Sequence, residues 1–300
     1  MDHEVDHMVF LCDSQQGTQI TSSLLVTDES IPVEVQAIVD EFAVLFATPN
    51  ELPPRCVCDH SIPVIPGAQP VNIRPYRHSP NTKDEIVKQI AELLSSGVIQ
   101  RSSSSFSFPV ILVRKKGGEW RMCIDYRRLN ALTSPTTFPI PVIEELLDEL
   151  SGASWFSKLD LRAGYHQIRL AQGEEYKTAF QTHSGHYEYK VMSFGLAGAP
   201  ATFQGAMNTT LQPVLRRCAL VFFDDILIYS RTLEDHIQHL HEVLSLLRRD
   251  KWFIKQSKCS FAQRSLSYLG FVISGEGVAT EPEKNSEGSV LASAAKCNGT

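Results

Sequence analysis

The stretch Ala219-Leu-Val-Phe-Phe-Asp-Asp-Ile-Leu-Ile-Tyr-Ser230 places two adjacent aspartates between two apolar runs rich in β-branched and aromatic residues. Each run is typical of a short buried strand, so together they predict a β-hairpin with Asp224 and Asp225 at its tip. Two neighbouring carboxylates repel each other and must be solvated or neutralised by a cation. Taken alone, the pair has an ordinary interpretation as turn residues, because aspartate favours turns.

A second strand gives the pair a chemical meaning. The segment Trp155-Phe-Ser-Lys-Leu-Asp-Leu161 predicts a strand that carries Asp160 to its C-terminal end, although aspartate is unfavourable in strands. Local rules broken in this way are typical of functional sites. If the two strands are neighbours, the three carboxylates converge. Such oxygen ligands suit Mg²⁺ or Mn²⁺, and two such ions can activate an attacking hydroxyl and stabilise a leaving phosphate oxygen.

The composition is that of a soluble globular protein. The chain has 300 residues, of which 43% are hydrophobic and 21% charged, so it has ample material for a core. Its apolar runs are all far shorter than the ~20 residues of a membrane span, and the N-terminus lacks the pattern of a signal peptide. The seven cysteines are scattered and odd in number. We therefore expect reduced thiols and an intracellular location.

Charge is unevenly distributed along the chain, whose formal net charge is −6. Residues 1–60 contain eleven acidic residues and one basic residue, whereas residues 71–130 contain eleven basic and five acidic residues. A basic middle segment on an acidic chain can form a local phosphate-binding face. An ordinary solvated surface is the alternative that charge alone leaves open.

Periodicity and turn residues predict alternating helices and strands. Residues 48–80 contain eight prolines, which exclude long helices and favour an extended segment. The sequence predicts helices over 33–47, from Asn81 or Thr82 to Gly97, from Pro141 to Gly152, after the loop 192–200, and over 233–249. It predicts strands over 108–113, 120–126, 155–161, 187–191 and 268–273, with a cationic turn at 114–119.

Three histidines lie on the helix predicted over 233–249, namely His236, His239 and His241. Two histidines three residues apart can share a metal ion. A third ligand of matching geometry is missing from the pattern, so we interpret these side chains as solvated or partly packed.

Several longer motifs resemble those of reverse transcriptases, in the same order along the chain. They are Phe156-Ser-Lys-Leu-Asp-Leu-Arg-Ala-Gly-Tyr-His-Gln-Ile168, Lys177-Thr-Ala-Phe180, Gly185-His-Tyr-Glu-Tyr189, the segment from Phe194-Gly-Leu to Ala199-Pro-Ala-Thr-Phe-Gln204, and Phe222-Phe-Asp-Asp-Ile-Leu-Ile-Tyr-Ser230. The resemblance covers about residues 30–284 and is strongest to the gypsy-class LTR retrotransposon polyproteins of plants.

The resemblance implies an α+β fold: a right-hand polymerase whose palm is an antiparallel sheet backed by helices, with a fingers subdomain. It implies the following organisation: a linker or disordered segment at 1–30, an N-terminal helix and proline-rich segment at 31–80, mainly fingers at 81–155, mainly palm at 156–275, and a disordered tail at 276–300. Because the family continues after Glu281-Pro-Glu-Lys284 with a thumb or connection and RNase H, we expect a polymerase core cut from a longer polyprotein.

The resemblance also implies roles for individual residues. Asp160, Asp224 and Asp225 would be catalytic and would bind two Mg²⁺ or Mn²⁺ ions. The incoming dNTP would be held by residues of the flap and palm. One of these, Tyr165, would reject a 2′-hydroxyl. The primer end would be held by a second group of residues, the primer grip. The nucleotide-binding residues would be Lys115, Lys116, Arg121, Tyr165, Phe194 and Gly195. The primer grip would consist of Tyr268, Leu269, Gly270 and Phe271.

The function that follows is an RNA-directed DNA polymerase acting on an RNA or DNA template with a primer, in a cytoplasmic virus-like particle. Some positions depart from the family pattern: Ser104 and Ser193 replace proline, Gly117 replaces aspartate, and Phe271 replaces histidine. A catalytically inactive relic that at most binds nucleic acid is an alternative, because a template–primer held only by fingers and palm should dissociate easily and in a salt-dependent way. A metal-dependent phosphohydrolase would leave Tyr165 and Phe194 without a role.

Overall fold

The computed structural model describes residues 31–114, 118–134, 138–139 and 141–281. The helices are α1 (Val33–Glu41), α2 (Pro80–Ser95), α3 (Arg127–Asn130), α4 (Ile143–Asp148), α5 (Ala199–Leu211) and α6 (Leu233–Arg249). The strands are β1 (Ile99–Arg101), β2 (Phe108–Arg114), β3 (Trp120–Ile124), β4 (Trp155–Asp160), β5 (Phe180–Thr182), β6 (Gly185–Tyr189), β7 (Ala219–Phe222), β8 (Asp225–Ser230), β9 (Ser260–Gln263), β10 (Ser265–Tyr268), β11 (Phe271–Ser274) and β12 (Gly277–Thr280).

The strands form three sheets. One has the order β1-β6-β5-β2-β3, the second the order β7-β8-β4-β9, and the third the order β10-β11-β12. All pairings between these strands are antiparallel except that of β2 with β5. The expected mixed α+β class is therefore confirmed. None of the helices in the described part of the chain combines the length and the apolar composition of a membrane span.

Helices α5 and α6 pack against the sheet that carries the aspartates, because each presents an apolar stripe to it. On α5 the stripe includes Phe203, Met207 and Leu211, which are fully buried, as the sequence predicts. On α6 it comprises Leu240, Val243, Leu244 and Leu247, together with one polar member of the helix. The α6 boundaries agree with the prediction, since Thr232 caps the helix by accepting a hydrogen bond from the Asp235 backbone N–H.

The polar member of the α6 stripe is His236, which is fully buried. Its ring nitrogens hydrogen-bond to Ser157 Oγ on β4 (2.7 Å) and Ser230 Oγ on β8 (3.0 Å). The Ser157 hydroxyl also accepts a hydrogen bond from Ala262 N on β9 (2.8 Å). His236 thus joins three neighbouring strands from behind the sheet. His239 is half-buried and His241 exposed, as predicted, but the complete burial of His236 goes beyond the solvated or partly packed position that the sequence predicted. Among the described residues, no cluster of three His, Cys, Asp or Glu side chains could hold a metal ion.

Burial of His236 makes stability sensitive to acid. Desolvation, with a smaller effect of His239, lowers the pKa of His236 to about 4. Since this pKa is higher in the unfolded chain, unfolding takes up a proton between pH 6.5 and 4, and stability is lost as the pH falls through that range. We expect a loss of about 2 kcal/mol from this residue at pH 5. Urea unfolding at pH 7.5 and 5.0 should show a smaller pH difference for His236→Gln than for the wild type. Equal differences would contradict the prediction.

Several predicted elements differ in the structure. Helix α2 begins at Pro80 and is capped by Ser79, whose hydroxyl accepts from Thr82 N, so neither Asn81 nor Thr82 is the cap. The short strand β1 is absent from the prediction, because its order depends on pairing with the distant strand β6. The strand β12 occupies Gly277–Thr280, where the sequence predicted disorder. Residues 1–30 and 282–300 lie outside the described part.

The predicted strand 268–273 is instead a hairpin. Strands β10 and β11 pair antiparallel, with Tyr268 opposite Phe271, and Leu269 and Gly270 form the turn between them. Both turn residues have positive φ (52° and 81°), which matches the twist of a two-residue hairpin. Leucine is uncommon at positive φ, so the apolar pattern concealed the turn.

The cysteine prediction also requires a correction. Cys56 and Cys58 form a disulfide, with their Cα atoms 5.2 Å apart, so the expectation of reduced thiols is wrong for this pair. Cys123, Cys218 and Cys259 are free thiols, as expected. Both disulfide residues belong to the extended segment between α1 and α2, which makes isolated bridges with the rest of the fold at His60, Val64 and Asn72.

Candidate active site

Strand register brings the three aspartates together. Strands β4 and β8 pair antiparallel with Asp160 directly opposite Asp225, and the two-residue turn Phe223-Asp224 joins β7 to β8. Leu161 N donates a hydrogen bond to Asp224 O (3.1 Å), which ties this turn to the end of β4. The predictions that the aspartates lie at a hairpin tip and that the two strands are neighbours are both confirmed.

A side chain from α5 holds the turn in place. Gln204, which is fully buried, accepts a hydrogen bond from Phe223 N (2.8 Å) and donates to Val221 O (3.2 Å). Phe223 has a positive φ of 52°, a conformation that a bulky residue adopts only when its surroundings enforce it. Sequence reasoning missed this role of Gln204, although a glutamine adjoining the apolar stripe of a helix is a usable signal, because buried polar groups need partners.

We expect Gln204→Ala to keep the fold but loosen the aspartate turn. The change leaves Phe223 N without its side-chain acceptor, which costs about 1–3 kcal/mol of stability. At temperatures at which the variant is fully folded, its primer extension and metal binding should still be lower than those of the wild type. Thr209→Ala, on an exposed part of the same helix, is a matched control. Equal effects of the two substitutions would contradict the assignment.

Two of the three carboxylates are paired with lysines. Lys258 Nζ lies 3.0 Å from Asp160 Oδ2, and Lys158 Nζ lies 3.0 Å from Asp225 Oδ1. The pKa of the third, Asp224, is raised, because burial and the nearby charges of Asp225 and Asp160 disfavour its ionised form. The site therefore has more negative charge than its own lysines neutralise.

The donor set fits a hard divalent cation. Carboxylate oxygens are the ligands that Mg²⁺ and Mn²⁺ prefer, and an ammonium group already lies at Asp160 and at Asp225 as a tethered stand-in cation. Burial, together with the nearby charges of Asp225 and Asp160, raises the pKa of Asp224, and a bound cation would offset both effects. Among the residues described, the side chains as they stand do not form a three-ligand set for a metal. Binding of an ion would therefore need the carboxylates to turn from the lysines.

An aromatic and cationic wall adjoins the aspartates. The Phe194 ring contacts Tyr165 edge-on (centroids 4.6 Å apart), and the Arg121 guanidinium lies 5.0 Å from the Phe194 ring centre. Tyr165 also packs edge-on against Phe203. Gly164, which precedes it, lies so close to Phe203 that a Cβ atom would be 2.9 Å from the ring, so the close turn expected beside the aromatic ring is present.

Arg121 and Phe194 of this wall share one cleft with Asp160 and Asp224, whereas Tyr165 and Asp225 lie outside its lining. Its volume is about 1130 Å³, and its lining includes Asp160, Asp224, Arg121, Phe194 and Lys258. The pKa of Tyr165 is raised to about 12 by burial and by Asp224, so its hydroxyl stays neutral at physiological pH.

The remaining predicted site residues fall into three groups. Gly195 lies in the loop that Asn130 fixes, since the Asn130 side chain donates to Gly195 O (2.8 Å) and accepts from Ala197 N (3.0 Å). Sequence reasoning missed Asn130, which follows the β2–β3 hairpin without a recognisable motif. Lys115 and Lys116 lie outside the described residues.

The predicted primer grip is the β10–β11 hairpin. Tyr268 is fully buried in the core, and its hydroxyl donates a weak hydrogen bond to Asp225 O (3.4 Å). Leu269 and Gly270 form the turn, and Phe271 begins β11. The structure therefore connects this segment to the aspartate strand β8 through Tyr268.

The comparisons with known proteins agree with this arrangement. The family model "Reverse transcriptase (RNA-dependent DNA polymerase)" matches residues 113–273. The chain is 37% identical over 220 residues to the retrovirus-related Pol polyprotein from transposon 297 of Drosophila melanogaster, covering 72% of this chain and 21% of that protein. It is 38% identical over 205 residues to the transposon Tf2-3 polyprotein of Schizosaccharomyces pombe, covering 68% of this chain and 15% of that protein. The chain thus spans about a fifth or less of these relatives.

Solved structures show the same fold. The foamy viral protease-reverse transcriptase in complex with RNA/DNA hybrid matches with a TM-score of 0.77 at 23% identity, covering 91% of this chain and 38% of that chain. A second structure of that protein, in complex with double-stranded DNA, matches with a TM-score of 0.78 and covers 50% of that chain. The fold is therefore that of a polymerase palm and fingers. Together with the family match over residues 113–273, this establishes that the chain belongs to the reverse transcriptase family of RNA-dependent DNA polymerases.

Proposed function

We propose that this chain adds deoxynucleotides to the 3′-hydroxyl of a primer, under the direction of an RNA or DNA template, with two divalent cations. The observation that carries the proposal is the register that sets Asp160 opposite Asp225, with Asp224 in the adjoining turn and Lys158 and Lys258 on the two strand-end carboxylates. Divalent ions bound there would supply activation of the attacking hydroxyl and charge neutralisation at the leaving phosphate oxygen.

The protein itself would position the cations and the incoming nucleotide and would neutralise the charge of the triphosphate. Asp160, Asp224 and Asp225 would hold the cations. Arg121, which lines the cleft beside Phe194, would pair with the triphosphate, since guanidinium groups bind phosphate in a fixed fork geometry. The flap lysines Lys115 and Lys116 would add to it. Phosphoryl transfer depends mainly on such positioning and electrostatics, so these contacts are the ones that we expect to set the rate.

The other residues would select the substrates. The neutral Tyr165 ring, fixed between Phe194 and Phe203, would lie beneath the deoxyribose and exclude a 2′-hydroxyl. Phe194 and Gly195 would line the nucleotide pocket. The turn from Tyr268 to Phe271 would hold the primer end, because its hydrogen bond to Asp225 O couples it to the catalytic strand.

The nucleic-acid partner is supported by charge and by the solved relatives. Residues 71–130 contain eleven basic and five acidic residues on an otherwise acidic chain, which suits a phosphate backbone. The foamy viral enzymes were solved with RNA/DNA hybrid and double-stranded DNA. We further assign the chain to the gypsy class of plant elements on its motifs, and to a cytoplasmic virus-like particle on that resemblance.

A nucleic-acid-binding relic is the second candidate. The observation that favours it is that Asp160 and Asp225 already have Lys258 and Lys158 as counter-ions without metal.

Primer extension on poly(rA)/oligo(dT) with the purified chain, in Mg²⁺ and in Mn²⁺, separates the two. Extension in either metal supports the polymerase. No extension, with template–primer binding seen by fluorescence anisotropy at low salt, refutes it and supports the relic. Loss of both with the protein folded refutes both candidates. A circular dichroism spectrum establishes folding before each assay.

A further inference from the structure

The two lysines at the aspartates are not equivalent. In the pair of Lys158 with Asp225, both side chains are only about a quarter exposed (25% and 26%). In the pair of Lys258 with Asp160, the lysine side chain is 54% exposed. Ion pairs are screened less when solvent is excluded from both partners. Lys158 is therefore the less exposed of the two lysines, although Asp160, at 14%, is less exposed than Asp225.

Strand geometry fixes Lys158 toward the aspartates. It lies on β4 two residues before Asp160, so both side chains point to the same face of the sheet. In the β4–β8 register, Lys158 is opposite Leu227, which makes Asp225 its diagonal neighbour across the strands. The opposite face of β4 presents Ser157 to His236 and the helix behind the sheet. The backbone thus delivers an ammonium group to the carboxylate cluster with little freedom to leave.

A cation tethered at this position competes with a divalent ion. The ammonium group stabilises the ion-free cluster, in which three neighbouring carboxylates otherwise repel one another. It also repels any second cation that approaches Asp225. Both effects lower the affinity for metal, and removal of the lysine charge must therefore raise it.

We propose that Lys158 is a tethered counter-cation that holds Asp225 until a divalent ion displaces it, and so sets the metal concentration that the site requires. This inference rests on the proposed function, because it takes Asp225 as a metal ligand. Lys158 is a positioning residue in this scheme. In the absence of metal it stabilises the carboxylates, and when metal binds its ion pair with Asp225 breaks.

The test measures metal binding without catalysis. Binding of Mn²⁺ to the full chain is followed by the electron paramagnetic resonance signal of the free ion. We expect Lys158→Met to tighten binding about threefold to tenfold. Lys158→Arg, which keeps the charge, and Lys83→Met, which removes a charge from the exposed face of α2, should both stay within twofold of the wild type. Should Lys158→Met fail to fold, Lys158→Gln replaces it. Unchanged or weaker binding in the neutral variant overturns the proposal.

A double-mutant cycle tests the route through Asp225. In the Asp225→Asn background, Lys158→Met should change Mn²⁺ binding by less than twofold, because the pair is already broken. A persistent tightening would overturn the assignment of Asp225 as the partner that matters. If the wild type binds no Mn²⁺, the proposal also fails. Mn²⁺ binding with the expected variant effects but without primer extension would refute the polymerase function and leave this inference standing.

Discussion

Asp224→Asn should abolish primer extension, lowering the single-turnover rate by about a thousandfold or more, which corresponds to ~4 kcal/mol of transition-state stabilisation. The substitution keeps the size of the side chain and removes only the negative charge that we propose to bind metal. Asp224 forms no ion pair with a lysine of the described residues, unlike Asp160 and Asp225, and it lies in the turn beside both of them. The measurement is rapid-quench extension of a single nucleotide on a preformed template–primer complex.

The stability of the metal-free protein should not fall in the Asp224→Asn variant, in contrast to its activity. The raised pKa of Asp224 means that its charged form is disfavoured in the folded, metal-free protein, so a neutral amide removes the cost of burying a charge and relieves repulsion from Asp225 and Asp160. We expect the melting temperature of the metal-free variant to equal or exceed that of the wild type. Asp148→Asn, on an exposed position at the end of α4, is the matched control and should change neither property. Extension within tenfold of the wild type would refute Asp224 as a metal ligand.

The second large effect concerns sugar selection. Tyr165→Val should raise the use of ribonucleotides relative to deoxynucleotides by about tenfold to a hundredfold, because it removes the ring that we place beneath the sugar. The ring is held in one orientation by edge contacts to Phe194 at 4.6 Å and to Phe203 at 5.4 Å, so it cannot move aside for a 2′-hydroxyl. Competition between dNTP and rNTP in extension from one primer gives the ratio directly.

The control for this prediction is Tyr165→Phe. It keeps the ring and loses only a hydroxyl that stays protonated, since the pKa of Tyr165 is raised to about 12. Selectivity should therefore remain within about threefold of the wild type. If Tyr165→Val leaves the ratio unchanged while extension continues, Tyr165 does not discriminate sugars and its role is to pack the palm.

Local pattern determined much of the fold. The 3.6-residue spacing of apolar residues predicts the α6 boundaries, because this signal acts within a few residues. The same holds for the β7–β8 hairpin, whose two apolar runs leave room only for a turn at the aspartates. The motifs around Asp160 and Asp224 determined the family, which the match over residues 113–273 confirms.

Features without a local signal were missed. The strand β1 depends on a partner distant in the chain, and the β10–β11 turn depends on a backbone conformation that leucine disfavours. The cap at Ser79, by contrast, is a local feature that lies a few residues from the predicted start of the helix. Leu269 is the clearest example, since its positive φ is enforced by the pairing of Tyr268 with Phe271 rather than favoured by leucine. The Cys56–Cys58 disulfide likewise depends on backbone conformation that composition does not specify.

The sequence by itself determined which residues the site contains, and the tertiary structure decided how they are arranged. Two strands as far apart in the chain as β4 and β8 can pair in many registers. Packing of the sheet against α5 and α6 selects one of these registers, and in that register Asp160 lies opposite Asp225. The same register brings Lys158 to Asp225, and the fold brings Gln204 to the turn. These contacts join residues that no short window of sequence connects, since each depends on burial and pairing of the whole sheet.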